Sequence, residues 1–224
     1  MREPRRPERG PPTTPATERP EEGITITSHE SFAELQVSAP LVRALDAQGV
    51  TTPFPIQSLV IPAATAGEDV LAKSPTGSGK TLAFLLPMLD ALAEVPATPS
   101  ALILAPTREL ASQIQEQAAP LAKAVGLRTQ VVLGGTPIDK QVRSIRGAHI
   151  VVATPGRLID LIGRRALDIS AVEILVLDEA DRMLDMGLRP QTDRIVARLP
   201  KDLQTMLFSA TLDGAVGDLA RSYT

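Results

Sequence analysis

An α/β domain, with a mostly parallel sheet and helices on both faces, is the fold this sequence predicts. Three observations predict it. Six short apolar runs, "DVLAKS", "ALILAP", "TQVVLG", "HIVVAT", "EILVLDEA" and "QTMLFSAT", are rich in Val, Ile and Leu and barely alternate. Strands buried on both faces of a parallel sheet read this way. Segments of helical length, such as "RELASQIQEQAAPLAKAVG" and "IDKQVRSIRG", separate the runs and give repeated strand–helix–strand units. Finally, nearly every run ends in small, polar or charged residues: Ser74, Pro106-Thr107-Arg108, Gly134-Gly135, Thr154-Pro155-Gly156-Arg157, Asp178-Glu179 and Ser209-Ala210-Thr211. Open parallel sheets bind ligands at the carboxyl ends of their strands, so these endings form a candidate functional rim.

The elements follow in order. Residues 1–22 hold six prolines, with five Arg matched by five Glu. That composition predicts a disordered, solvated tail, and the balanced charge argues against an RNA-tethering arm. The folded unit is expected over 23–224. From Phe32 onward the pattern is regular. "SAPLVRALDAQG" is a helix, with Ser38 and Pro40 at its start and Gly49 past its end. "PIQSLVIPAATAG" is a second helix, again closed by glycine.

The first strand runs into "SPTGSGKT", close to the phosphate-loop pattern G-x-x-x-x-G-K-[ST] but with Ser74 in place of the first glycine. Pro75 pushes the preceding residue to extended geometry, so Ser74 should end its strand at negative φ. Proline has no N–H, which leaves Thr76, Gly77, Ser78, Gly79, Lys80 and Thr81 as the cradle. A helix beginning there turns its positive end to an anion. Lys80 would neutralise outer phosphates and Thr81 would offer its hydroxyl to Mg²⁺. A phosphate loop also needs a carboxylate for the metal. "EILVLDEADRML" supplies Asp178, and Glu179 beside it can accept the proton of an attacking water. Lys80, Asp178 and Glu179 are therefore the catalytic candidates of a P-loop NTPase.

Composition narrows the partners. The chain has no Cys and two His, His29 and His149, which leaves neither a disulfide framework nor a credible zinc site. Net charge is −3 and the pI about 5.5, against the basic footprint of a typical nucleic-acid binder. With four Phe and one Tyr there is no platform of stacked rings. Any strand bound must be held by its backbone. No signal pattern or membrane-length run is present, so a cytoplasmic location is expected.

The ordered motifs resemble those of the DEAD-box RNA helicases. "DEAD" stands at 178–181, "GVTTPFPIQ" resembles the Q motif with Phe32 upstream, and "SPTGSGKT" resembles motif I. "PTREL", "GG", "TPGR" and "SAT" follow in the family's order, so the resemblance covers about residues 32–224. It implies the N-terminal RecA-like lobe of an ATP-dependent enzyme, with ATP and Mg²⁺ as cofactors. It implies that Gln57 reads the adenine edge and that Phe32 or Phe54 stacks on it. Thr81 and Asp178 would serve the metal. Pro106, Thr107, Arg108, Gly135, Thr154, Gly156 and Arg157 would line the path of an RNA backbone. Asp181, Ser209 and Thr211 would couple the nucleotide to a second RecA-like lobe, which the resemblance places after the end of this chain. Three positions depart from the family pattern: Val50, Phe54 and Leu188. A DNA translocase and a nucleotide-dependent binding module without turnover are the alternatives. The Q motif together with "DEAD" speaks against the first, and the retained Lys80, Asp178 and Glu179 against the second.

Overall fold

The computed structural model describes residues 31–93, 98–212 and 214–223. The predicted tail at 1–22, and its boundary at 23, lie outside the described residues. The chain order is α1 (Ala39–Asp46), α2 (Pro55–Thr65), β1 (Val70–Lys73), α3 (Lys80–Leu92), β2 (Ala101–Leu104), α4 (Arg108–Ala124), β3 (Thr129–Val132) and α5 (Ile138–Ser144). It continues through β4 (Ile150–Ala153), α6 (Pro155–Gly163), β5 (Ile174–Leu177), α7 (Ala180–Asp185), α8 (Arg189–Val196), β6 (Gln204–Ser209) and α9 (Ala215–Tyr223). All six apolar runs are strands, and every pairing is parallel.

Side-chain alternation explains why these runs look uniformly apolar. Successive residues of a strand point to opposite faces, and here both faces are covered. Ala101 and Ile103 of β2 join a core with α1 to α4, while Leu102 and Leu104 join one with α6 to α9. Each fully buried Leu or Ile contributes about 1.5–3 kcal/mol. The edge strand β1 differs, because Leu71 and Lys73 on its second face are exposed.

Sheet order is β1-β6-β5-β2-β4-β3. It sorts the rim into two halves. The phosphate loop after β1, the "SAT" end of β6 and the "DEAD" end of β5 lie side by side. The "PTR", "TPGR" and "GG" ends of β2, β4 and β3 form the other half. Register keeps the ends level, with Lys73 opposite Ser209 and Leu104 opposite both Ala153 and Leu177.

Helix ends follow their sequence signals in part: Ser38 stands at the N-terminus of α1 but makes no side-chain capping bond. Thr107 caps α4 by accepting the Leu110 N–H at 3.2 Å. Helix α6 ends in a Schellman turn, with the Ala166 N–H on the Leu161 carbonyl at 2.9 Å. The left-handed position of that turn is Arg165, at φ 55°, where glycine carries no Cβ penalty. Arg165→Gly should therefore raise stability by about 0.5–1 kcal/mol, which thermal unfolding would read as a gain of roughly 2 °C. No helix among the described residues is long and apolar enough to cross a membrane.

One expectation is corrected here. Phe32 is 2 % exposed and packs in the core with Leu35, Leu41 and Leu45. It is a wedge under α1 and not a ring open to a ligand. Phe54, 56 % exposed, is the ring left at the rim.

Candidate functional site

A cavity of about 1200 Å³ opens over the first half of the rim. Its floor is the phosphate loop. Ser74 extends β1, its N–H donating to the Ser209 carbonyl at 2.8 Å. It is not among the left-handed residues, as the following proline requires. Its hydroxyl pairs with that of Ser78, which closes the loop across its base. Thr76, Gly77, Gly79, Lys80 and Thr81 line the cavity. The first N–H groups of a helix have no intrahelical partner, and those of α3 begin at this wall.

Lys80 lies under the loop. Its Nζ is 2.8 Å from Asp178 Oδ1 and 3.7 Å from Glu179 Oε1. Asp178 is fully buried, and burial pushes its carboxyl above the usual carboxylate range while Lys80 pulls it back. One oxygen is occupied, accepting from Lys80 and from the Glu179 N–H at 2.9 Å. The other, Oδ2, is buried with no hydrogen-bond partner. Buried polar atoms are seldom left so, and this vacant acceptor fits a divalent cation or its water shell. Among the described residues no three acidic or histidine side chains gather into a cage. That suits Mg²⁺, which is held by one or two carboxylates together with phosphates.

Glu179 caps α7 at φ 55°, a left-handed backbone uncommon for any residue other than glycine. The conformation aims its carboxylate into the cavity, where Arg182 Nη1 holds Oε2 at 3.1 Å. Strain of this kind is a recurrent mark of functional positions.

The roof comes from the segment before α2. Gln57 is 1 % exposed yet lines the cavity. Its Oε1 accepts the Phe54 N–H at 2.8 Å and its Nε2 donates to the Gly79 carbonyl at 2.8 Å. The amide thus joins the roof to the phosphate loop. A side-chain amide has two N–H groups and two lone pairs on oxygen, so one of each is left for a purine edge. Val50, Thr51 and Thr52 complete this wall.

A second cavity of about 510 Å³ lies over the other half of the rim, lined by Pro106, Thr107, Arg108, Thr154, Gly156 and Arg157 among others. Arg108 is exposed, and its Nη1 would stand 2.5 Å from a Cβ placed on Gly135. Glycine is what lets that guanidinium lie against the turn. Arg157 is more committed than the sequence suggests. Its Nη1 donates to the Thr136 carbonyl at 2.9 Å, bracing the glycine turn against α6.

Asp181 and Ser209 meet. Asp181 N–H donates to Ser209 Oγ and its Oδ2 accepts the Ala210 N–H, both at 3.2 Å. The "DEAD" and "SAT" ends are thereby tied together. Thr211 is exposed beyond this contact.

The motifs now have a geometry, and its relatives can be compared. The family model for "DEAD/DEAH box helicase" matches residues 54–219. The chain belongs to that family. The DEAD-box ATP-dependent RNA helicase CshA of Streptococcus pneumoniae is 46% identical over 186 residues, covering 83% of this chain and 36% of that protein. The ATP-dependent rRNA helicase RRP3 of Meyerozyma guilliermondii is 41% identical over 221 residues, covering 93% and 46%. The crystal structure of a DEAD box protein from the hyperthermophile Methanococcus jannaschii matches with TM-score 0.84 at 36% identity, covering 88% of this chain and 55% of that one. The chain thus spans about a third to a half of these relatives, and its fold is the N-terminal RecA-like helicase domain of the family.

Several lining residues carry no role in the sequence reading. Gln113 and Gln117 of α4 face the first cavity in line with Glu109 of "PTREL". Their spacing of four does place them on one helix face, a signal that was legible. Arg182 in the first cavity and Met186 in the second carry no such pattern.

Proposed function

We propose that this domain binds ATP with Mg²⁺ in the first cavity and an RNA backbone across the second. The observation that carries the reading is the junction of Lys80 and Glu179, which line the cavity, with Asp178 buried behind them and Gln57 tying the roof to the phosphate loop. Lys80 shares its charge between Asp178 and the outer phosphates. Thr81 and Asp178, with its vacant Oδ2, would hold the metal. Bound Mg²⁺ would neutralise charge developing on the phosphates. Glu179 accepts the proton of the attacking water, and Arg182 and Lys80 fix the carboxylate that does so. The remaining N–H and lone pair of Gln57 favour adenine over guanine.

On the other half of the rim, Arg108 and main-chain N–H groups after Gly135 and Pro155 offer donors to phosphates. Backbone recognition of this kind is independent of base sequence. A second RecA-like lobe would complete the enzyme through Asp181, Ser209 and Thr211 and supply arginine fingers. Such fingers contribute roughly 10³–10⁵ in rate, about 4–7 kcal/mol of barrier. This domain alone should therefore turn over little ATP. With its partner lobe it would couple hydrolysis to the separation of short RNA duplexes.

Binding titrations test the reading. The domain should prefer ATP to GTP, and Gln57→Ala should weaken ATP and abolish the preference. Equal affinity of the unaltered domain for both nucleotides would contradict the adenine assignment.

A further inference from the structure

The chain is acidic overall, but its charge is not evenly spread. Between residues 117 and 159 it carries six cations, Lys123, Arg128, Lys140, Arg143, Arg146 and Arg157, against a single anion, Asp139. That local balance of +5 sits in a chain of net −3, leaving −8 elsewhere. The segment runs from the end of α4 through β3, α5 and β4 into the start of α6, and β3 is the edge strand of the sheet. Four of the six cations, Arg128, Lys140, Arg143 and Arg146, fall between α4 and β4, next to that edge.

Five of the six cations lie outside the cleft, and all five are exposed. None of the five makes an ion pair among the described residues. Lys140 and Arg143 share one face of α5 at a spacing of three. The Arg128 guanidinium stands beside Gly147, 3.2 Å from where its Cβ would be, at the turn that follows Arg146 in the chain. The bland account is compensation of helix dipoles. It covers Lys123 in the last turn of α4, and Arg143 and Arg146 at the end of α5. It fails for Lys140, which sits in the first turn of α5 where a cation is unfavourable. It also fails for Arg128, which is in no helix.

This edge is continuous with the cleft. Helix α5 starts directly after the turn at 134–136, and Gln141 Nε2 donates to the Leu133 carbonyl at 2.8 Å, fixing the helix to that turn. Arg157 braces the same turn from the cleft side through the Thr136 carbonyl. The cations thus lead out of the cleft along a rigid path. We propose that the β3–α5 edge is a second, sequence-independent phosphate contact surface, which takes the part of an RNA strand that leaves the cleft. This rests on the cleft itself holding RNA. Lys140, Arg143 and Arg146 form the outgoing track, and Arg128 and Lys123 its far end.

The test is fluorescence anisotropy at several salt concentrations with two RNAs. One is a short single strand sized to the cleft, and the other is the same strand extended at both ends. In Lys140→Gln/Arg143→Gln/Arg146→Gln the long RNA should bind about tenfold more weakly near physiological salt. The slope of log affinity against log salt should shrink by about 2, at roughly 0.7 per lost phosphate contact. Binding of the short strand should stay unchanged. The charge-retaining Arg143→Lys/Arg146→Lys variant should keep the long-RNA affinity. Equal losses for both RNAs, or no loss for either, would overturn the proposal. So would polyglutamate competing with the extended flank as well as RNA does, since the edge would then be a dock for an acidic protein. Arg108→Ala separates the two readings. It should weaken both RNAs, and if it weakens neither while the triple variant still affects the long one, the cleft assignment fails and the edge stands as a phosphate contact surface but not as the exit from that cleft.

Discussion

Lys80→Ala is expected to abolish nucleotide binding and to lower stability by about 3–5 kcal/mol, the cost of stranding one member of a buried ion pair. Asp178 is fully buried and its main counter-charge is the Lys80 ammonium at 2.8 Å. With Lys80 gone, burial and the neighbouring Glu179 charge raise the Asp178 carboxyl further, opposed only by the Glu179 backbone N–H. The folded variant then holds a proton that the unfolded chain has lost. Stability must fall as pH rises above the ordinary value of 3.8, and the deficit should shrink on acidification. Thermal unfolding across pH measures this. The double variant Lys80→Met/Asp178→Asn removes the stranded charge, so it should regain most of the stability and none of the nucleotide affinity. Equal stability of the single and double variants would show that the pair carries no such strain.

Gly79→Ala should be the more damaging of the two left-handed glycine substitutions in the phosphate loop. Gly79 sits at φ 86°, and an added Cβ would stand 2.3 Å from Phe54 Cδ2 and 2.7 Å from Gln57 Nε2. The exposed Phe54 ring can rotate away. Gln57 is buried, and its hydrogen bond to the Gly79 carbonyl would break. Backbone strain of about 1–2 kcal/mol and a lost hydrogen bond of about 1 kcal/mol together predict a fall of roughly 2–3 kcal/mol. Nucleotide affinity should be lost as well, because roof and floor separate. Gly77→Ala is the internal control. Gly77 has φ 83° but open space around it, so only the strain applies, and the milder variant should retain weak binding. Adding Phe54→Ala to Gly79→Ala should recover little of the stability, since the exposed ring can already move aside. If the two glycine variants behave alike, the link from Gln57 to the loop does not matter.

Much of this was legible in the sequence. Strand existence was carried by apolar runs that owe their uniformity to burial on two faces. Helix α4 was readable as one unit even with Pro120 inside it, because its apolar positions kept the helical period. The place of Ser74 followed from Pro75 alone. Leu188, one of the departures, packs against the core of its sheet face. What stayed hidden depends on contacts between distant segments. Nothing local distinguishes Phe32, sealed under α1, from Phe54, open at the rim. The Gln57 amide is bound at both ends because a loop twenty-two residues away presents a carbonyl to it. Likewise the brace between Arg157 and Thr136 arises from sheet order, which places β4 beside β3.

The central claim is that Glu179 activates water against a nucleotide held by Lys80 and Asp178, in response to RNA. ATP hydrolysis should be measured with and without single-stranded RNA, on this domain extended to the length of its relatives. RNA-stimulated turnover is expected, falling about 10²–10⁴-fold in Glu179→Gln, the usual contribution of a general base, with ATP binding retained. Turnover indifferent to RNA, or a Glu179→Gln protein as fast as its parent, would contradict it.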